Sequence, residues 1–331
     1  MQRPFQPIFR NPHLLTVAGN FWPRKIDETR FPAERKLYQL DERTTIVVYE
    51  HRPEGSPRGQ IICLHGLEGS AQAGYIQSFA QAALLRGFVV HRKNLRTCGG
   101  TEEFCETMYH SGLTADTKAI LQRLRQRDQS PLFVIGFSLG GNVALKLAGE
   151  LRETDLLAGV CAVSAPIDLA LSVKALDKPI NFMYARRFLN RLRQRIQRKS
   201  KLSPHLYSHD GLEAVKTIWE FDDRFTAPLF GFGNAANYYA TQSAARFLHQ
   251  IRTPALLIAA KDDPLVPFEM YRHPALEENP ALTLVAPEHG GHLGFLSKKR
   301  PRFWMDENVL DWMDNIVNLC ASEPKYLTGS R

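Results

Sequence analysis

No apolar run in this 331-residue chain approaches the ~18–20 residues that a membrane span needs. The opening residues, MQRPFQPIFRNPHLL, scatter Pro and Arg and contain no apolar stretch of the kind a secretory signal carries. Cysteine is scarce and odd in number: five, at positions 63, 98, 105, 161 and 320, without metal-ligand spacing. Cys63 and Cys161 sit inside apolar strand-like runs, which argues against a disulfide framework and for a reducing compartment. A cytoplasmic protein is therefore expected. Internal repeats and low-complexity tracts are also lacking, so repeat architectures are excluded. Positive charge is concentrated in one stretch. Positions 178–209 hold nine Lys or Arg and no Asp or Glu, and without them the net charge of +8 becomes −1. The basicity thus belongs to one segment. No aromatic stacking platform accompanies it, and nucleic acid is not the expected partner. What remains, 44% apolar and 23% charged residues, is the composition of a globular protein with a large core.

The stretch Pro131–Gly141, PLFVIGFSLGG, organises the rest. Leu132–Ile135 read as a buried strand, and Gly141–Glu150 as a helix. Between them Ser138 stands with a glycine two residues away on each side, the pattern of a nucleophile elbow. Such a turn is sharp and strained, and side chains at 136 and 140 would collide with the neighbouring strand and helix. The serine hydroxyl is then held at the carboxyl end of a sheet, above a helix amino terminus that favours developing negative charge.

Residues 1–35 show no regular pattern, and Asn11–Thr16 carry no chemistry legible from residue type. Lys36–Leu40 and Thr44–Glu50 read as a hairpin. Gln60–Leu64, Phe88–His91, Leu157–Ser164, Ala255–Ala260 and Leu282–Ala286 read as buried strands, and Ala71–Arg86, Ala115–Arg127 and Val309–Leu319 as amphipathic helices. Strands alternating with helices argue an α/β fold, with a mostly parallel central sheet and helices on both faces. The stretch 166–250 is far longer than a crossover requires and is expected to be a helical lid insertion. The expected organisation is an extension, 1–35; a core, 36–165 and 251–331; and a lid, 166–250.

A serine nucleophile needs a base, an orienting acid and oxyanion donors. Downstream of Ser138, the strand at 255–260 ends in Lys261-Asp262-Asp263-Pro264, and the strand at 282–286 runs into His289-Gly290-Gly291-His292. His292 is the expected base, with His289 the rival. Asp263 is the expected acid, with Asp262 and Asp168 as alternatives. A solvated turn is the ordinary reading of the two aspartates. A metal-binding pair is the ordinary reading of the two histidines, but HGGH lacks helical spacing and no third ligand is evident. The oxyanion donors are expected to be the N–H groups of Leu139 and Leu67. The expected activity is serine carboxylesterase chemistry without metal or organic cofactor. An acyltransferase would use the same residues, and a binding protein on the same fold would use none.

The constellation resembles the α/β-hydrolase superfamily and, within it, the YheT-like esterases. The likeness rests on Asn11-Pro12-His13, His65-Gly66-Leu67, Asn94-Leu95-Arg96 with Cys98-Gly99-Gly100, GFSLGGN, Phe221-Asp222-Asp223 with Asn237-Tyr238-Tyr239 and Ser243, DDPLVP and GGHLGF, in that order. It implies an α/β-hydrolase fold and hydrolysis of carboxylic esters through Ser138, Asp263 and His292. Some animal relatives act on acylglycerols or phospholipids, so small-molecule and lipid esters are both candidate substrates. Phe221–Arg224 and Tyr238-Tyr239 are expected to hold the lid to the body, and Tyr239 is a candidate for the acyl pocket.

Ala185–Lys201, ARRFLNRLRQRIQRKSK, places Phe188, Leu189, Leu192 and Ile196 on one helical stripe with cations elsewhere. Two readings stand. The helix packs by its stripe with a solvated basic face, or it meets an anionic membrane or an acidic substrate.

Overall fold

The computed structural model describes residues 3–152 and 154–322. Eight strands form one sheet: β1 (Glu34–Asp41), β2 (Thr44–His51), β3 (Gly59–Leu64), β4 (Phe88–Lys93), β5 (Leu132–Phe137), β6 (Gly159–Val163), β7 (Ala255–Ile258) and β8 (Leu282–Val285). Their spatial order is β1-β2-β4-β3-β5-β6-β7-β8. The β1–β2 hairpin pairs Lys36 with Val48 and Tyr38 with Ile46, and β2 runs antiparallel to β4. Every later pairing is parallel. The parallel strands are apolar on both faces because both faces are covered. Along β5, Val134 joins one core cluster while Phe133, Ile135 and Phe137 join the other, as the two-residue period of a strand dictates.

Helices α2 (Gly74–Leu85) and the closing helix Trp304–Ser322 cover one face. Helices α3 (Ala115–Arg127) and α4 (Leu139–Leu151) cover the other. Between β6 and β7 the regular structure is helical. It includes α5 (Leu169–Leu176) and the 21-residue α6 (Phe182–Leu202), and it lies over the α4 side. Leu189, Leu192, Ile196 and Phe221 of this segment form a small separate cluster with Met108 from outside it.

Two expectations are corrected. The N-terminal stretch is not irregular throughout, because Pro12–Phe21 form a helix, α1. Asn11 caps it by accepting the Leu14 N–H at 3.0 Å, and Pro12 occupies the first turn, where no intrahelical donor is needed. The basic face of α6 is not all solvated either. Arg195 and Lys199 are buried with the apolar stripe. Lys199 donates to the Cys105 carbonyl at 2.8 Å, and Arg195 pairs with Glu68. Long stems let these two cations cross the apolar stripe and still reach acceptors.

Candidate active site

Parallel strands point their carboxyl ends to one edge of the sheet, and the loops leaving β3, β5, β7 and β8 meet there. Ser138 follows β5 directly, with φ 53° and ψ −123°, a conformation costly for any residue other than glycine. Helix α4 begins at Leu139, two residues earlier than the sequence pattern suggests, so its amino terminus lies at the serine itself. The turn is possible only because of its glycines. A Cβ on Gly136 would overlap the Gly140 carbonyl, and one on Gly140 would stand 2.5 Å from the Leu64 carbonyl oxygen.

The loops after β7 and β8 carry two aspartates and two histidines, and the fold pairs them separately. His292 Nε2 lies 2.9 Å from Ser138 Oγ, and His292 Nδ1 lies 2.9 Å from Asp263 Oδ2. Asp263 Oδ1 accepts the N–H groups of Leu265 and Val266 at 2.9 and 3.0 Å, which fixes the carboxylate. Asp262 turns the other way. It holds His289 Nδ1 at 3.0 Å and accepts the Gly291 N–H at 2.9 Å. The rival base therefore faces the rival acid, away from Ser138. Asp168 caps α5 by accepting the Leu171 N–H at 3.0 Å and takes no part.

The Leu67 N–H lies in the loop after β3 and the Leu139 N–H at the start of α4, and both residues line the same cavity as Ser138. Among the described residues neither is taken up by an acceptor. The β3 loop is firmly held. Tyr75 Oη accepts the Gly66 N–H at 3.0 Å. His65 donates from Nδ1 to the Gly66 carbonyl at 2.8 Å and accepts the Leu95 N–H at Nε2, 3.1 Å. Burial pushes its pKa down to about 3, so the ring stays neutral and keeps this tautomer. Glu68 accepts from Tyr109 Oη at 2.8 Å and from Arg195 at 2.7 and 2.9 Å, which ties the same loop to the lid.

The N-terminal helix contributes a group that residue type alone did not reveal. Thr16 Oγ1 donates to the Pro12 carbonyl at 2.7 Å and accepts the His292 N–H at 2.9 Å. Helix α1 approaches the histidine loop so closely that a Cβ on Gly291, already at φ +57°, would stand 2.5 Å from the Pro12 carbonyl. His13 stacks on Tyr184 of α6, joining the same helix to the lid. The one legible signal was Asn11-Pro12, a helix start.

Two spaces open onto Ser138 and His292. A cleft of about 550 Å³ runs outward between α1, the β3 loop and α6. A cavity of about 90 Å³ runs inward beneath the lid, walled by Leu67, Leu139, Leu176, Phe221 and Tyr239 among others. Tyr239 donates to Asp222 at 2.6 Å, and Thr226 donates to the same carboxyl at 2.6 Å. Burial raises the Asp222 pKa to about 6 against the pull of those two bonds. Tyr238 Oη accepts the Ser111 N–H at 2.7 Å and so ties this segment to the loop before α3, while Ser243 Oγ accepts the Leu169 N–H at 3.0 Å within the segment itself.

A sheet in this strand order, with a strained serine closing its fifth strand at the foot of a helix, is the architecture of the α/β hydrolases. The model of the alpha/beta hydrolase fold family matches residues 59–299, and the chain belongs to that family, in its YheT-like branch. It is 32% identical over 312 residues to an Escherichia coli (strain K12) protein named "Putative esterase YheT", covering 92% of this chain and 91% of the other. It is 27% identical over 84% of its length, and 64% of the relative's, to "Medium-chain fatty acid ethyl ester synthase/esterase 2" of Saccharomyces cerevisiae. Among solved structures, a Pyrococcus furiosus esterase, Pf2001, superposes with a TM-score of 0.58 at 18% identity over 88% of this chain and 98% of that one. A 2,6-dihydroxy-pseudo-oxynicotine hydrolase gives 0.59 at 23% identity over 87% and 69%. These two likenesses speak to the fold alone.

Proposed function

We propose that the chain is a serine carboxylesterase. The observation that carries the reading is the line Asp263–His292–Ser138, with 2.9 Å at each step and two unspent N–H groups beside the serine. In this reading Ser138 Oγ attacks the ester carbonyl carbon while His292 Nε2 takes its proton. Asp263 holds the tautomer and stabilises the imidazolium. The N–H groups of Leu67 and Leu139 receive the oxyanion. The carbon–oxygen bond to the alcohol then breaks, and the alcohol leaves with the proton from His292. Water, activated by the same nitrogen, cleaves the acyl-serine, so one ester and one water yield one acid and one alcohol. Relatives named esterases and lipases support ester hydrolysis. The small inner cavity favours a short acyl chain there, with Tyr239 at its wall, and leaves the alcohol portion in the outer cleft.

The setting we propose is the cytoplasm, in keeping with five free thiols, four of them buried. Among the described residues no helix is long and apolar enough to cross a membrane. Contact with an anionic lipid surface is part of the proposal. Its support is a set of exposed apolar side chains at the end of α1 and around the start of α6: Phe21 at 70%, Ile180 at 71%, Phe182 at 57% and Met183 at 72%. The exposed cations Lys178 and Arg186 flank them. Binding to anionic vesicles should exceed binding to zwitterionic ones and weaken with salt; equal binding would remove this contact.

The deciding experiment is fluorophosphonate labelling with the adduct mapped by mass spectrometry. The expected result is an adduct on Ser138 in the wild type that is lost in His292→Ala. A folded wild type without that adduct overturns the esterase reading. Added short alcohols as competing acceptors separate hydrolysis from acyl transfer, because a transferase makes mainly new ester.

A further inference from the structure

The ester-cleaving reading leaves the charge on the wall of the outer cleft unused. Four arginines of α6 line that cleft together with Ser138 and His292: Arg187, Arg191, Arg195 and Arg198. Two glutamates in the same lining answer two of them. Glu68 takes Arg195 at 2.7 Å, and Glu102 takes Arg198 at 2.8 Å. Arg187 and Arg191 have no carboxylate in ion-pair contact among the described residues, so the cleft carries two uncompensated positive charges.

Their placement is specific. Arg191 Nη1 donates to the Glu68 carbonyl at 3.0 Å, which sets its guanidinium beside the loop that presents the Leu67 N–H. Arg187 lies one helical turn away on the same face of α6. Both side chains are exposed at the mouth of the cleft, and partial burial, then the nearby charge of Arg191, lower the Arg187 pKa below the usual arginine value. Two guanidinium groups brought together without a counter-ion are unfavourable until an anion enters between them, and their fixed forks suit carboxylate or phosphate. The inner cavity offers the opposite environment. Its walls are mainly apolar, and its one carboxyl, Asp222, is already engaged by Thr226 and Tyr239. The two ends of an ester held at Ser138 therefore meet different surroundings.

We infer that the preferred substrates are esters with an uncharged acyl group and an alcohol portion that carries a carboxylate or phosphate, held by Arg187 and Arg191. The inference rests on the esterase reading and adds the substrate class to it. The test compares soluble ester pairs that differ in charge: 2-(butyryloxy)ethyl phosphate against 2-hydroxyethyl butyrate, and butyryloxyacetate against butyryloxyacetamide. The first pair probes phosphate and the second carboxylate. Neither needs a lipid surface, so vesicle binding does not enter.

The expected result is a kcat/KM at least ~10-fold higher for the anionic member of one or both pairs at low salt. The difference should lie mainly in KM and shrink as salt rises. In Arg187→Gln/Arg191→Gln the ratio should fall toward one. Arg187→Glu/Arg191→Glu should invert it, favouring butyrylcholine over the anionic esters, a gain that a misfolded variant could not show. A wild-type ratio near one for both pairs overturns the inference while leaving the esterase intact. So does a preference that survives in Arg187→Gln/Arg191→Gln. If no ester of any charge is cleaved, the esterase reading fails first and this one with it.

Discussion

Glu68 and Arg195 join the loop beside the serine to the lid, and removing one of them tests how that joint works. The two side chains are only 3% and 9% exposed and meet through two bonds, at 2.7 and 2.9 Å. Arg195 also donates to Thr97 Oγ1 at 2.8 Å, and Glu68 also accepts from Tyr109. Arg195→Met keeps the length of the stem but leaves the Glu68 charge in a low-dielectric site with a single neutral donor. Breaking a buried pair from one side costs ~3–5 kcal/mol. Removing both charges, in Glu68→Gln/Arg195→Met, takes away the orphan as well as the pair, so the double variant should be more stable than Arg195→Met alone. Urea denaturation of the wild type, both single variants and the double variant gives a complete cycle, with an expected coupling of ~2 kcal/mol or more. The same variants should lose at least ~10-fold in kcat/KM on p-nitrophenyl butyrate, because the Leu67 N–H is positioned through the backbone of Glu68. Stability changes that add to within ~0.5 kcal/mol would refute the reasoning, since independent sites behave that way.

Three further outcomes are expected. Asp263→Asn should lower kcat by ~10⁴-fold, the loss found when an orienting carboxylate is replaced, whereas Asp262→Asn should cost less than ~10-fold; equal losses would mean the two histidine–aspartate pairs act as one unit. Thr16→Val leaves the His292 N–H without an acceptor, which should cost ~1–3 kcal/mol in stability and reduce kcat more than it raises KM; Thr16→Ser should restore both, and an unaffected Thr16→Val would show that α1 does not position the histidine. Asp306, fully buried, has its pKa pushed up to about 7 by burial, against Arg24 and the hydrogen bond from Ser78. Between about pH 4 and 7 the unfolded chain releases this proton and the folded chain keeps it, so the group's contribution is complete at low pH and is lost as pH rises through 7. Relative to Asp306→Asn, the wild type should therefore lose up to ~4 kcal/mol between pH 4 and 8; a difference independent of pH would contradict the assignment.

Much of the fold was legible in local pattern. Alternation and apolar runs located the strands within a residue or two, and the glycines flanking Ser138 announced a turn whose dihedral angles the structure bears out. Such features depend on sterics among near neighbours, which is why residue order alone carries them. The lid's helical stripe was legible for the same reason. The fate of its cations was not, because Arg195 and Lys199 are defined by partners 127 and 94 positions away.

The sequence by itself determined that a serine elbow, an aspartate pair and a histidine pair would follow in that order at the ends of strands. Only the tertiary structure decided which aspartate faces which histidine. Neighbouring residues leave a turn in different directions, and the approach of the β7 loop to the β8 loop selects between them. Helix α1 is the clearest case. Asn11 and Pro12 mark a helix start, but nothing near them in the chain says what the helix is for. Its meaning lies in one hydrogen bond between Thr16 and His292, 276 positions apart, which exists only because the folded sheet brings the histidine loop to it.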